Sequence, residues 1–187
     1  SSLYPDNKMI NVKYAASIID GCGIGNYDNS QLMKFLKTKT VGITPSISDL
    51  EEGFTGSSSP KDFETFLQYL YMYFECPRKD KSILDKEISN LETQIKMYKN
   101  MPEFDFQMQM FKSMYPKDKR TILFPTEEQL KKMNIDEMYN IFRERFSDAS
   151  DFTFTFVGNF AIDTTIPLIE KYIGGMPSKQ SKEQWLD

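Results

Sequence analysis

Residues 40–78 read TVGITPSISDLEEGFTGSSSPKDFETFLQYLYMYFECPR, and this stretch decides the fold class. In its second half Ser59 is placed to cap a helix, because a hydroxyl there accepts from an orphan N–H of the first turn. Pro60 suits the first helical position, where a missing N–H costs nothing. Asp62 and Glu64 put negative charge at the positive end of the helix dipole. Phe63, Phe66, Leu67, Leu70, Tyr73 and Phe74 recur at helical spacing. Tyr69, Tyr71 and Met72 widen that stripe until it nearly surrounds the helix, which is therefore expected to lie between other elements. Cys76-Pro77 ends it, since the residue before proline is pushed out of the α region. In the first half, Val41, Ile43, Pro45 and Ile47 alternate with small or polar residues, the period of a half-buried strand. Ser48-Asp49 reads as the turn, and residues 50–56 return as a second strand whose glycines imply a bulge or a close backbone approach. A hairpin followed by a packed helix is a sheet-plus-helix layer. The fold class is α+β, an antiparallel or mixed sheet packed with several helices.

Working upstream, residues 9–19 form a mostly buried helix that stops at Gly21-Cys22-Gly23-Ile24-Gly25, where glycines cap it and open a tight loop. A nucleotide-binding glycine loop needs a strand before it, and here a helix precedes it. Asn29 or Ser30 is expected to cap a short helix with Leu32, Met33, Phe35 and Leu36. Ser57-Ser58-Ser59 at a helix start could receive an anion, but capping explains the serines as well.

Downstream, Asp80 caps a polar helix running to about residue 99. Leu84, Ile88, Leu91, Ile95 and Tyr98 form a heptad-like seam too short for a coiled coil, so it reads as a surface helix. The next helix begins at Met101-Pro102 with Phe104, Phe106, Met108, Met110, Phe111 and Met114. Such a methionine-rich stripe serves as core or as an adaptable binding surface, and core is the expectation. Thr126 and Gln129 form a T-x-x-Q capping box. Asp136 is expected to begin a helix carrying Met138, Tyr139, Ile141, Phe142, Arg145 and Phe146. Residues 151–157, DFTFTFV, alternate strictly and read as a strand beside the hairpin, with Phe152, Phe154 and Phe156 on one face. A last helix spans 164–173 and stops at Gly174-Gly175. Residues 1–177 make one domain, and 178–187 read as a linker-like tail.

The 187 residues suit a single domain with a substantial core. A hydrophobic fraction of 40% and an aromatic fraction of 14% exclude a disordered chain. A net charge of −4 disfavours nucleic acid as the main partner. The basic cluster Lys117, Lys119 and Arg120 is interrupted by Asp118 and reads as a solvated loop. Cys22 and Cys76 are too few for a disulfide scaffold and are read as two buried free thiols, unless the fold brings them together. No apolar run has the length of a membrane span. The chain opens on Ser-Ser-Leu-Tyr-Pro-Asp with no initiator Met or signal peptide, and is expected to be cut from something longer. It contains no histidine. That excludes Ser-His-Asp and Cys-His catalysis within these residues, and every zinc motif that uses imidazole. No catalytic, cofactor-binding or metal residue is assigned.

The order of motifs resembles a known family. It comprises a helix ending in G-x-G, a short L-x-K-F-L helix, then Gly53-Phe54-Thr55-Gly56-Ser57-Ser58-Ser59-Pro60-Lys61-Asp62-Phe63-Glu64 and Tyr71-Met72-Tyr73-Phe74. Late in the chain come Phe152-Thr153-Phe154-Thr155-Phe156-Val157-Gly158-Asn159-Phe160 and Tyr172-Ile173-Gly174. This is similar to one domain of a pitrilysin/insulinase-family zinc peptidase, of the kind found in large bacterial zinc proteases. The resemblance implies a protein of homologous α+β domains whose two halves enclose a chamber for unfolded peptides. Zinc sits only in the first domain of such a protein, on an H-x-x-E-H helix. By order of elements, residues 11–21 stand where that helix would be and carry neither histidine. The resemblance therefore implies a non-catalytic domain, the first of the second half, with no zinc of its own. Its partners would be the other domains of the same peptidase and peptide substrates, in the bacterial periplasm or cell envelope. Family domains begin with strands ahead of this helix, so the sheet here is expected to be incomplete and able to self-associate through a bare edge. The alternatives are a scaffold subunit of the same fold with no peptidase activity and, last, an independent enzyme using paired carboxylates.

Overall fold

The computed structural model of the protein describes residues 3–115 and 120–180. Lys117, Asp118, Lys119 and most of the linker-like tail therefore lie outside the described residues. The elements follow as α1 (Met9–Gly21), α2 (Asn29–Leu36), β1 (Val41–Ile47), β2 (Glu52–Ser58), α3 (Phe63–Glu75), α4 (Lys81–Tyr98), α5 (Pro102–Met114), α6 (Glu127–Leu130), α7 (Ile135–Arg145) and α8 (Ile162–Tyr172). The fold is α+β, rich in helix, with a two-stranded antiparallel sheet.

α1 is the hub. Val12, Ala15, Ile18 and Ile19 are buried, and the helix packs against α7, β1 and α4. One apolar cluster joins α1 to Leu84, Leu91 and Ile95 of α4 and to Met138 and Ile141 of α7. A second joins Leu70, Tyr73 and Phe74 of α3 to Ile43, Phe142 and Phe146. The seam read in α4 is thus a helix laid on its neighbours. The loop after α1 needs glycine. Gly23 has φ of 86°, and a Cβ there would stand 2.3 Å from the Tyr27 carbonyl oxygen. Gly25 N donates to the Cys76 carbonyl at 2.8 Å, stitching this loop to the end of α3. Both cysteines are free thiols, Cys22 buried and Cys76 half-buried.

The hairpin pairs Val41 with Ser58 through Ile47 with Glu52, without interruption. β2 thus starts at Glu52, two residues later than the alternation alone places it. Residues 48–51 are spent on the turn, where Ser48 N donates to the Glu51 carbonyl (2.8 Å) and Glu51 N to Ser48 Oγ (3.1 Å). There is no bulge. The close approach is real at Gly56, where a Cβ would meet the Phe66 ring at 2.5 Å, whereas Gly53 faces open space.

Several local expectations are corrected. Residues 152–157 are extended, with Phe152, Phe154 and Phe156 half-buried and Thr153, Thr155 and Val157 exposed, but they pair with neither strand. Burial enforces the alternation; a ladder additionally needs a neighbouring backbone, and among the described residues none pairs with this segment. α5 is surface, not core: it buries no residue, and Phe106 and Met114 are 68% and 62% exposed. It is held by Phe104, whose ring stacks on Tyr98 at 5.6 Å and meets Phe124 edge-on at 5.3 Å. Asp28 caps α2, through a reciprocal box with Gln31, and Asn134 caps α7. In each case the first polar residue with a competent partner downstream wins over the one nearest the apolar run. Pro60 opens a 3₁₀ turn, and α3 starts at Phe63. Ser59 Oγ does not accept from the turn; it donates to Asp62 Oδ2 (2.7 Å). α8 begins at Ile162 and contains Pro167.

Candidate functional site

A groove of about 820 Å³ lies between β2 and the extended segment 152–157. Its floor is aromatic. Phe54 projects from β2 and packs its ring 4.6 Å from that of Phe146, 5.4 Å from Phe74 and 6.4 Å from Phe152. Phe74 in turn meets Phe152 edge-on at 5.3 Å, and Phe63 meets Phe156 edge-on at 5.6 Å. These contacts fix direction. Phe54 lies opposite Phe152 near the start of both segments, while Phe156 lies by Phe63, just beyond the end of β2. The two walls therefore run the same way.

The backbone of each wall has unmet hydrogen-bonding groups. Ser59 N donates to the Thr40 carbonyl (3.0 Å), and Ser48 N to that of Glu51 (2.8 Å). In the constant antiparallel register, the directly bonded pairs are therefore Gly42–Ser57, Thr44–Thr55 and Ser46–Gly53. It follows that the N–H and C=O groups of Phe54 and Gly56 point away from β1, toward the groove. Across it, no backbone hydrogen bond joins residues 153–157 to any other described residue. The opposite edge of the sheet differs: Pro45 occupies an outward-pointing position of β1 and has no N–H to offer, and α1 packs against that strand.

Charge is distributed unevenly. Glu51, Glu52 and Asp151 line the end where β2 begins; Lys61 and Glu64 line the other. Arg145, 6% exposed, lies 3.5 Å from Glu52 Oε1. Glu64 accepts from Tyr172 OH (2.8 Å) and Lys171 Nζ (3.2 Å), which together hold its carboxyl below the usual range. Under the open end of the hairpin, Asp62 accepts from Thr40 N (2.9 Å) and Ser59 Oγ, and these two bonds keep it ionised below the usual carboxylate range. What this arrangement offers is binding: apolar floor, two polar backbone edges, one acidic end.

No site residue was assigned from sequence, and the helix where the zinc motif would fall does not fit the ion. Asn11 is 1% exposed and fully engaged: Nδ2 donates to the Lys132 carbonyl (3.2 Å) and to Glu137, and Oδ1 accepts from Asn134 N (2.9 Å). Val12, Ala15 and Ala16 are core. Asp20 accepts from Tyr73 OH, which also bonds Tyr69 OH at 3.0 Å; burial raises the Asp20 carboxyl and the Tyr73 phenol. Among the described residues no group of three or more His, Cys, Asp or Glu is placed to hold a metal ion. The groove itself was missed in sequence. The signal was present in the contrast between Pro45 on one edge and the small, unguarded residues of β2 on the other.

Comparison with known proteins places these features in context. No family profile matches the chain. It is 24% identical over 171 residues to a probable zinc protease, PqqL, of Haemophilus influenzae, covering 90% of this chain and 18% of that protein. It is 23% identical over 179 residues to PqqL of Escherichia coli, covering 95% of this chain and 19% of that protein. The chain thus spans about a fifth of the length of these relatives. Among solved structures, the periplasmic protease PqqL from Escherichia coli superposes with a TM-score of 0.82 at 22% identity, over 100% of this chain and 20% of that one. The ferredoxin protease FusC, a mutant in complex with Arabidopsis ferredoxin, superposes with 0.72 at 12% identity, over 94% and 19%. The likeness to zinc proteases read from the sequence holds, as a low-identity match to one segment of such proteins, and so does the fold.

Proposed function

We propose that the chain is a non-catalytic domain of a zinc peptidase, packed beside the catalytic part of the same protein and forming part of the wall around its peptide substrate. The observation that carries this reading is the fate of α1. In a chain similar to one fifth of zinc proteases, the helix standing where the zinc motif would be is committed to packing, with Asn11 used as a structural clasp. Zinc would be held elsewhere in the parent protein, by residues outside this chain. The absence of a membrane-crossing helix among the described residues, together with the periplasmic relative, supports the bacterial periplasm as its location.

The test uses the full-length protein that contains this chain. Metal analysis should find one zinc per molecule, and a quenched fluorogenic peptide should be cleaved in a chelator-sensitive way. The 187-residue chain alone should do neither. A photo-crosslinking residue on the exposed face of β2 should capture the peptide in full-length protein stripped of its zinc. A full-length protein with neither zinc nor turnover would favour the scaffold reading. Stoichiometric zinc on the isolated chain would overturn the proposal.

A further inference from the structure

α5 and the turn that leads into it carry thioethers where solvent reaches them, and we propose that this surface is a site of reversible methionine oxidation. Two-electron oxidants of the peroxide class convert Met97, Met101, Met110 and Met114 to sulfoxides while the core stays folded. The surface turns from apolar to polar as they do so, whether or not the parent protein is a peptidase.

Exposure is the first argument. Methionine is by preference a buried residue, and the 11 methionines of this chain differ widely in access. Met9, Met133, Met138 and Met176 are 8% exposed or less and belong to the two apolar clusters. Met97, Met101, Met110 and Met114 are 43% to 62% exposed. They gather at the end of α4, at the cap of α5 and on α5 itself, the helix that buries no residue. Phe104, Met108 and Phe111 make the half-buried side of that helix. Phe106, Met110 and Met114 recur every fourth residue on another side, the spacing that makes one stripe. Met33, 50% exposed on α2, is an isolated case.

Chemistry is the second. The thioether sulfur gives a lone pair to one oxygen of hydrogen peroxide. An S–O bond forms as the O–O bond breaks; sulfur loses two electrons and the peroxide gains them. The other oxygen leaves as hydroxide and takes the proton of the transferred hydroxyl, so the products are sulfoxide and water. The side chain needs no prior deprotonation, and access decides the rate. The cysteines compete poorly. Cys22 is buried, Cys76 is half-buried, and burial raises both thiols, whereas oxidants prefer an exposed, ionised sulfur. On α5 the new polar oxygen stands in water. Beside Met138, 0% exposed, it would be buried without a partner. Oxygen is therefore taken up first where the fold tolerates it. These exposed sulfoxides stay within reach of sulfoxide reductases, which return the thioether at the expense of a dithiol and release water.

The experiment treats the full 187-residue chain with hydrogen peroxide at pH 7 and follows each methionine and cysteine by peptide mass mapping. Met97, Met101, Met110 and Met114 should oxidise at least tenfold faster than Met9, Met133, Met138 and Met176, with Met33 as the rate of a lone exposed thioether. In guanidinium the difference should vanish. The chain oxidised at these positions should melt within about 2 °C of the untreated one and elute earlier from a hydrophobic-interaction column. Sulfoxide reductases with dithiothreitol should restore its elution. The quadruple variant Met97→Leu, Met101→Leu, Met110→Leu, Met114→Leu keeps apolarity and helix propensity, and its elution should not move with peroxide. Core methionines reacting as fast as these four in the native chain would overturn the proposal. So would first oxygens on either cysteine, a melt lost once the four are oxidised, or the same elution shift in the quadruple variant.

Discussion

β1 and the segment 152–157 carry the same sequence signal and come to different ends. Both alternate apolar and polar residues, and in both the apolar set faces inward: Ile43 and Pro45 in one, the three phenylalanines in the other. β1 closes a seven-pair ladder with β2 through a four-residue turn; 152–157 has the shape of a strand and no ladder. The difference teaches that alternation specifies which way side chains face, a local property enforced by burial. Pairing depends on whether another backbone stands 4.8 Å away, which in a hairpin the chain guarantees itself and elsewhere it does not.

The severest way to break the comparison is to remove what both segments share. Phe74 is 2% exposed and packs on Phe54, Phe152 and Phe154. Phe74→Ala should cost about 3–5 kcal/mol, read as a lowered denaturant midpoint, with 152–157 and the hairpin, through Phe54 of β2, losing their footing together. Truncation at each segment separately comes next. Ile43→Ala, in the buried face of β1, should cost about 2–4 kcal/mol, and Phe154→Ala, half-buried, about 1–2. Equal values from denaturant titrations would mean that 152–157 is as integral as the hairpin.

Proline separates pairing from packing. Thr44 and Thr155 are both exposed threonines of outward face, but Thr44 N–H serves the ladder. Thr44→Pro should destabilise by roughly 1–3 kcal/mol, and Thr155→Pro by no more than about 0.5. Thermal melts of the two variants decide it. The smallest effect concerns the staple under the hairpin, which 152–157 has no counterpart for. Asp62 is held below the ordinary carboxylate value of 3.8 by Thr40 N–H and Ser59 hydroxyl. The stability it contributes is therefore complete above that value and is lost as pH falls through the lower folded one. Asp62→Asn should flatten this part of the acid limb in melts below pH 4, while leaving the neutral-pH slope unchanged.

The sequence carried the class and most of the elements. The stripe of α3, the alternation of β1, the seam of α4 and the T-x-x-Q box of α6 all read correctly, because each is a pattern whose cause lies within a few residues. What failed was what depends on distant chain. The methionines and phenylalanines of α5 have the composition of a core helix, but whether a core is there to receive them is decided by α1, α4 and α7. Asp62 read as a first-turn charge facing the helix dipole and is a buried tie, since its partner Thr40 sits 22 positions upstream. The groove was illegible for the same reason: neither wall announces the other. Gly56 showed that something comes close, and only the fold shows that it is Phe66.

The thiol of Cys22 has a chemical fate set by its seat. Its sulfur accepts from Asp80 N at 3.2 Å, at the mouth of α4, and burial pushes its pKa up to about 11. At pH 7 only about one molecule in ten thousand then presents a thiolate, the form that attacks disulfides and electrophiles. In an oxidising compartment this chain would carry an unpaired cysteine that neither scrambles with other proteins nor yields readily to alkylating reagents, until the stitch between α1 and α4 comes undone.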